Sequence, residues 1–232
     1  NTVDPMMLGD KVGFDALRWY FYSVNAPGDN KLFNLKDVET RQRQFAHTII
    51  NSFLFLETYF EKPSLSLKAA NNVLDEWILS RLENIRSQVT GALDDYDITS
   101  ASRMLEDFVG DLSNWYIRRS RKRLQKQILD ASKIGAQQTL IKVLSALAVL
   151  VSPFNPFLAE WLYRNLKSLN VESGNLESVH LEKWPVKAIA SKNLAAEKVM
   201  AKARSVVALG LAERARAGIK VRQPLNALYL SS

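Results

Sequence analysis

Several residue types that would point to a particular chemistry are missing or scarce in this sequence of 232 residues. Cysteine is absent, which excludes disulfides and thiolate metal sites, and two isolated histidines, His47 and His180, do not favour a zinc site. The sequence has no glycine-rich phosphate loop, no nucleophile with a plausible base and no metal-ligand spacing. Composition and motifs therefore predict no catalytic, metal or cofactor site in this chain.

Targeting signals are missing as well. No signal peptide is evident, and the longest apolar candidate, Val143 to Val151, is shorter than the roughly 20 residues that a membrane-spanning helix needs. We therefore expect a cytoplasmic protein without a membrane partner. The sequence begins at Asn1 without a methionine and ends in a strand-like run, so we expect a piece of a longer protein.

The overall charge is basic. The chain has 31 Lys and Arg against 24 Asp and Glu, a formal net charge of +7 and an isoelectric point near 9.5. Such a balance favours an acidic partner, of which nucleic acid is the commonest, while an anionic membrane surface and plain solubility remain alternatives.

The positive charge is concentrated in the stretch Leu112 to Lys126. Its last nine residues carry six basic side chains and no acidic one, directly after an aromatic pair. Helical spacing places one stripe of side chains on a common face: Trp115, Arg118, Arg119, Lys122 and Lys126. The spacing points Leu112, Tyr116 and Leu124 toward a core, and we expect Arg121 and Arg123, which lie off the stripe, to pair with acidic neighbours.

Cationic side chains beside aromatic rings suit a polyanion with stackable bases. Basic groups displace counterions from phosphates, and a ring or guanidinium plane stacks on an unpaired base for about 1 to 3 kcal/mol. The stretch therefore predicts RNA binding. The alternative is a solvated basic helix face with Trp115 packed inside.

The charge changes sign abruptly before this stretch. From Leu74 to Asp111 there are nine acidic residues against three arginines. This pattern predicts that the basic end faces a polyanion and that the acidic end faces solvent or a basic neighbour.

Weaker candidates for binding phosphate lie outside this stretch. Lys220 and Arg222 form a second basic patch, which could equally anchor a further appendage of the parent protein. Arg41 and Arg43 lie near the start of a predicted helix that could present them to phosphate, although surface solvation is the simpler use.

Periodicity predicts a mainly α fold, an antiparallel bundle of six or seven helices. The predicted segments are an apolar run at 16–21 capped by Asp15, then 35–59, 74–94, one helix that starts near 99 and includes 112–126, and then 133–151, 158–169 and 192–217. Gly218 fits a helix C-cap, and a short β element is predicted to begin after it, over Ile219, Val221 and 225–230.

Seven sequence blocks carry a family resemblance in their order along the chain. They are NTVDP at 1–5, GFDALRWYFYS at 13–23, DEWILSRL at 75–82, LSNWYIRRSRKR at 112–123, SPFNPFLAEWLY at 152–163, SVHLEKWP at 178–185 and ARAGIKVRQPL at 215–225. Together they resemble the part of class I aminoacyl-tRNA synthetases that follows the KMSKS loop, most closely the isoleucyl branch. The sequence differs from the family pattern after the arginine run, where it has Leu124 and Gln125 and an aromatic pair is expected.

The resemblance implies a stem-contact segment at 1–30, a helical anticodon-binding domain at 31–218 and the start of a truncated C-terminal β appendage at 219–232. Its implied partners are isoleucine tRNA, held at the anticodon loop and stem, and the catalytic domain of the same monomeric, cytoplasmic parent. The HIGH and KMSKS motifs are absent here, so ATP and Mg²⁺ would belong to that parent enzyme and not to this piece.

The same resemblance implies a set of tRNA-binding residues: Trp115, Arg118, Arg119, Lys122, Arg123, Lys126, Lys220 and Arg222. The cations of the stripe would neutralise phosphates, while Trp115 stacks on a base or packs beneath the site. Three alternatives stay open: the anticodon domain of a valyl-type synthetase, a basic helical scaffold for an acidic protein, and an independent enzyme.

Overall fold

The computed structural model describes residues 4–26, 28–30, 33–62, 69–169, 176–227 and 229. The helical elements are, in chain order, α1 Pro5–Val12, α2 Phe14–Ser23, α3 Leu35–Gln44, α4 Ala46–Tyr59, α5 Val73–Asp94, α6 Ile98–Gly110, a π-helical segment Asp111–Ile117, α7 Arg118–Leu124, α8 Ala131–Val151, α9 Pro156–Ser168, a 3₁₀ turn Val179–Leu181 and α10 Leu194–Arg216. They belong to two compact units, Asn1–Lys192 and Asn193–Ser232. The mainly α helical fold is confirmed.

The helix starts follow from local capping. Asp4 accepts a hydrogen bond from the Met6 amide at 2.8 Å and Pro5 opens α1, while Asn72 caps α5 in the same way at 2.9 Å. Gly13 separates α1 from α2 with φ of +86°, a conformation that favours glycine. These short polar side chains at the starts of apolar runs explain why most predicted helices are found close to their predicted bounds.

The prediction that Asp15 caps its own helix is wrong. The cap position of α2 is Gly13, which offers no side chain, and Asp15 lies in the first turn. Its carboxylate instead accepts the Leu158 amide at 2.7 Å, in the first turn of α9. Asp15 is therefore a long-range cap that ties two helices together, a contact that local sequence cannot reveal.

The predicted single helix over 35–59 is also wrong, because the chain breaks into α3 and α4 at Phe45. Phe45 is fully buried, and its ring stacks on Trp19 with centroids 3.5 Å apart and planes 7° apart. Packing against α2 thus takes precedence over the helical propensity of the surrounding residues.

The core of the first unit is centred on α8. This helix meets the length and composition of a membrane span, contrary to the expectation from sequence, but 72% of its apolar window is buried inside the structure. Burial of this kind is the pattern of a core helix.

The corner after α8 is held by Arg18, which donates to the carbonyls of Pro153 and Phe154 at 2.8 and 2.9 Å.

The second unit consists of α10 and the segment after it. Gly218 follows the helix with φ of +67°, as the predicted C-cap requires. The predicted β element is not confirmed, because none of residues 219–227 and 229 lies in a strand. The Arg214 guanidinium instead binds the carbonyls of Lys220, Val221 and Gln223, which folds this segment back as a turn.

Candidate nucleic-acid interface

The basic stretch forms the end of a continuous helical rod from Ile98 to Leu124. The rod begins at Asp97, whose carboxylate accepts the Ser100 amide at 2.9 Å, and passes from α6 through the π-helical segment into α7. The sequence spacing predicts an uninterrupted α-helix here, so the π-helical turn at Asp111–Ile117 corrects that expectation. Such turns widen the helix locally and occur frequently at functional sites.

The acidic half of the rod is bound to basic neighbours. Glu106 pairs with Arg41 at 2.7 Å, and Asp111 pairs with Arg81 at 3.1 Å. Burial raises the pKa of Glu106, and Arg41 partly offsets the effect. The prediction that the acidic end faces solvent or a basic neighbour is therefore confirmed for Glu106 and Asp111, which have basic neighbours, and Arg41 is committed to an ion pair within the fold.

Apolar side chains anchor the basic half. Leu112, Tyr116 and Leu124 are each 0% exposed, as the helical spacing predicts. Burial, followed by the neighbouring Asp75 carboxylate, raises the pKa of Tyr116 well above its ordinary value, so the hydroxyl stays protonated and donates to Asp75 at 2.8 Å.

Arg123 completes this internal network. Its guanidinium donates two hydrogen bonds to Asp75, at 3.0 and 2.6 Å, and two to Ser132, both at 3.1 Å. The expectation that Arg123 pairs with an acidic neighbour is confirmed. Its guanidinium is thus bound within the fold, between α5, α7 and the start of α8.

Three cations of the predicted stripe face solvent. Arg118, Arg119 and Lys122 are exposed, and we call these three side chains the basic ridge. Among the described side chains, no carboxylate lies within ion-pairing distance of them. The structure thus presents three neighbouring cations whose charge is not neutralised by any carboxylate in the described part of the chain.

Trp115 lies beside the ridge and is neither fully buried nor fully exposed. The Arg119 guanidinium lies over its ring, with Cζ 4.8 Å from the ring centroid. A guanidinium held in this way has restricted freedom and presents a planar cationic surface. Trp115 and Arg119 together form the Trp115 platform.

The other basic residues that were predicted to bind RNA do not belong to the ridge. Lys126 is about half exposed and pairs with Asp130, the N-cap of α8. Lys220 and Arg222 are exposed in the second unit, in the turn held by Arg214. Arg43 is exposed and donates to Thr40 at 3.2 Å.

Near the interface, sequence reasoning gave Arg121 a different contact from the one observed, and it missed the buried Lys133. Arg121 has no ion pair among the described side chains, and its guanidinium lies 5.4 Å from the ring centroid of Phe55 in α4, so its predicted acidic partner is wrong. Lys133 is 1% exposed and binds the Glu61 carboxylate and the Lys126 carbonyl. A lysine at a core-facing position of an apolar helix is the signal that could have revealed it.

The described residues contain no group of three or more His, Asp or Glu side chains arranged to hold a metal ion. The arrangement is one of surface cations and aromatic rings on a rigid helical support. Its chemistry is the binding of anions and flat groups.

Comparisons with known proteins agree with this architecture. Relatives named isoleucine–tRNA ligase include those of Clostridium acetobutylicum, 40% identical over 100% of this chain and 23% of the relative, and Dehalococcoides mccartyi, 43% identical over 97% of this chain and 23% of the relative. The protein of Deinococcus radiodurans is 40% identical over 97% of this chain and 21% of its own length. The chain thus spans about a quarter or less of the curated relatives it matches.

A solved structure shares the fold. The Agrobacterium radiobacter K84 LeuRS, crystallised as a ternary complex with tRNA and LeuAMS, superposes with a TM-score of 0.54 over 85% of this chain and 22% of its own, at 17% identity. Residues 75–229, which include the rod from Asp97 onward and the basic ridge, match the family described as the anticodon-binding domain of tRNA ligase. This chain belongs to the family of tRNA-ligase anticodon-binding domains.

Proposed function

We propose that this chain binds the anticodon region of isoleucine tRNA and positions it for aminoacylation by a catalytic domain in the same parent chain. The observation that carries the proposal is the basic ridge, whose three exposed cations have no ion-pair partner among the described side chains and lie next to the Trp115 ring. Relatives named isoleucine–tRNA ligase, at 40% and 43% identity, support the choice of tRNA.

The proposed roles follow from the contacts. Arg118 and Lys122 bind phosphates of the anticodon stem and loop, and the Trp115 platform stacks on an unpaired base. Arg123 acts indirectly, because its guanidinium is bound to Asp75 and holds α7 in place. Lys126 contributes less charge because Asp130 is its partner, and Lys220 with Arg222 form a separate contact patch.

The same proposal extends to the parent protein. Residues 1–30 would contact the tRNA stem and link the catalytic core to the bundle, residues 31–218 would bind the anticodon arm, and 219–232 would begin a further appendage. ATP and Mg²⁺, which tRNA ligases generally use, would act in the catalytic domain outside this chain. The parent would be a soluble, cytoplasmic monomer.

The test is a binding series at moderate salt with isoleucine tRNA, valine tRNA and an unrelated tRNA. We expect preference for isoleucine tRNA, a weaker affinity in Arg118→Ala and Trp115→Ala, and a salt slope that falls by about 0.7 to 0.9 in Arg118→Ala, because one phosphate contact is lost. Arg164→Ala, which removes an arginine with a 70% exposed side chain on α9, is the matched control and is expected to bind as wild type.

Preference for valine tRNA would assign the domain to a valyl-type enzyme. Equal, weak binding to all three tRNAs, unchanged in Arg118→Ala and in Trp115→Ala, would show that the ridge is a general basic face. A salt-independent affinity would contradict phosphate binding altogether.

A further inference from the structure

The aromatic side chains of α4 lie against the edge of α7 opposite the Trp115 platform. The Arg121 guanidinium is 5.4 Å from the Phe55 ring centroid, and Phe55 and Tyr59 are 5.1 Å apart with their planes inclined by 59°. The Tyr59 hydroxyl accepts a hydrogen bond from the Gln125 amide at 3.1 Å. Two rings and a guanidinium thus form one partly exposed cluster across two helices.

The position of this cluster follows from helix geometry. At about 100° per residue, Arg119 and Arg121 lie about 160° apart around α7, with Arg118 and Lys122 on the arc between them. Each of the two outer arginines lies over an aromatic ring, Trp115 on one edge and Phe55 on the other. The phosphate-binding cations are therefore flanked by a ring and guanidinium pair on both sides.

The charge of the cluster matches a nucleic acid. Arg121 is exposed and, among the described side chains, has no carboxylate within ion-pairing distance. The Phe55 and Tyr59 rings are only partly buried, so both retain surface accessible to a ligand. Aromatic rings with a planar cation are the groups that stack on unpaired bases without requiring a particular sequence.

From this arrangement we infer a second base-stacking subsite, formed by Phe55 and Tyr59 of α4 with Arg121 of α7, that takes an unpaired nucleotide of the RNA bound by the basic ridge. The inference rests on the proposed function. An RNA loop crosses α7, with its phosphates on Arg118 and Lys122 and with one base on each edge. The subsite gives a use to the contact between the Arg121 guanidinium and the Phe55 ring.

The test compares two RNA probes on the full chain. One is the anticodon stem-loop of isoleucine tRNA, and the other is a fully paired RNA duplex with the same number of phosphates. Phe55→Leu keeps an apolar side chain but removes the ring, and Arg121→Lys keeps the charge but removes the plane. Phe157→Leu is the control, because Phe157 is 69% exposed on α9 and lies outside the cluster.

We expect Phe55→Leu to weaken binding of the stem-loop about fivefold or more, with the duplex affinity unchanged. Arg121→Lys is expected to show a smaller loss of the same kind. The salt slope is expected to stay the same in both, because stacking releases no counterions. Thermal unfolding of each variant checks its fold, and Arg121→Lys, at an exposed position, remains informative if Phe55→Leu is unstable.

The outcomes separate the two proposals. If both variants bind the stem-loop as wild type does, while Trp115→Ala weakens it, the second subsite is wrong and the proposed function stands. If the wild-type chain does not prefer the stem-loop to the duplex, the proposal that unpaired bases stack on the two edges of α7 is wrong for both edges. An equal loss with Phe157→Leu would mean that the effect is not local to the cluster, which would also overturn the inference.

Discussion

At the scale of single residues, neighbouring arginines of one basic run have different roles. Arg118 and Arg119 are exposed and have no acidic partner within the residues that the structure describes, Arg121 lies over Phe55, and Arg123 is bound to Asp75. Only the direction in which each side chain leaves the helix distinguishes them. The count of positive charges therefore overstates the cations available to RNA, and burial identifies those that support the fold.

The Asp75 and Arg123 pair gives a prediction for stability. Asp75→Asn is expected to lower the free energy of unfolding by about 3–5 kcal/mol, because the side chains are only 9% and 13% exposed and a buried guanidinium would lose its charge partner. Urea unfolding at neutral pH measures the change.

Asp94→Asn, at an exposed position on the same helix, is the control and is expected to stay within about 0.5 kcal/mol of wild type. A small loss in Asp75→Asn, equal to that of the control, would show that the pair does not hold α7 in place.

Part of this site follows from the sequence alone. The basic ridge and its core-facing neighbours follow from helical spacing, because the residues involved are close in sequence. The partners Asp75, Phe55 and Tyr59 are more than 40 residues away from α7, and nothing local marks them. Aromatic residues on an amphipathic helix are most simply interpreted as core, so Phe55 was not identified as a candidate.

At the scale of elements, a buried carboxylate fixes the loop after the 3₁₀ turn. Glu83 in α5 binds Arg86 at 2.7 Å and accepts the Ile189 amide at 2.8 Å, while Arg86 donates to the carbonyls of Pro185 and Val186 at 3.0 and 3.1 Å. Burial raises the pKa of Glu83, but the hydrogen bonds from Arg86 and the Ile189 amide outweigh burial, so the pKa is lowered from its ordinary value of 4.5.

This shift predicts a pH dependence. A carboxylate whose pKa is lower in the folded state stabilises the fold above pH 4.5, and this contribution is lost as the pH falls through the folded-state pKa. We expect Glu83→Gln to be less stable than wild type at neutral pH and the difference to shrink below pH 4.5. Chemical unfolding across this range measures it.

The raised pKa values of Asp15 and Glu106 change the stability in the opposite direction as the pH falls. These two residues are the same in wild type and in Glu83→Gln, so their effect cancels when the two stabilities are compared. Glu57→Gln, an exposed substitution on α4, is the control. A difference between wild type and Glu83→Gln that does not change with pH would contradict the assignment.

At the scale of the whole molecule, the two units differ in how much they bury. The first unit contains the apolar core around α8, whereas Met200 is the single buried side chain of α10. We therefore expect a chain ending at Lys192 to fold by itself, with an unfolding transition as cooperative as that of the full chain. Circular dichroism during heating measures this. A broad transition with a much lower midpoint would show that the first unit depends on the second.

The sequence by itself determined the mainly α class, most helix positions and the existence of a concentrated basic surface. These properties depend on residues that are near one another along the chain, where spacing, caps and charge act directly. Tertiary structure alone decided the break at Phe45, the π-helical turn and the long-range cap by Asp15. It also decided which basic side chains are exposed and which are bound within the fold. The break at Phe45, the cap by Asp15 and the ion pair of Arg123 depend on partners that are distant in sequence, and the energy of these contacts exceeds the local preference of the backbone.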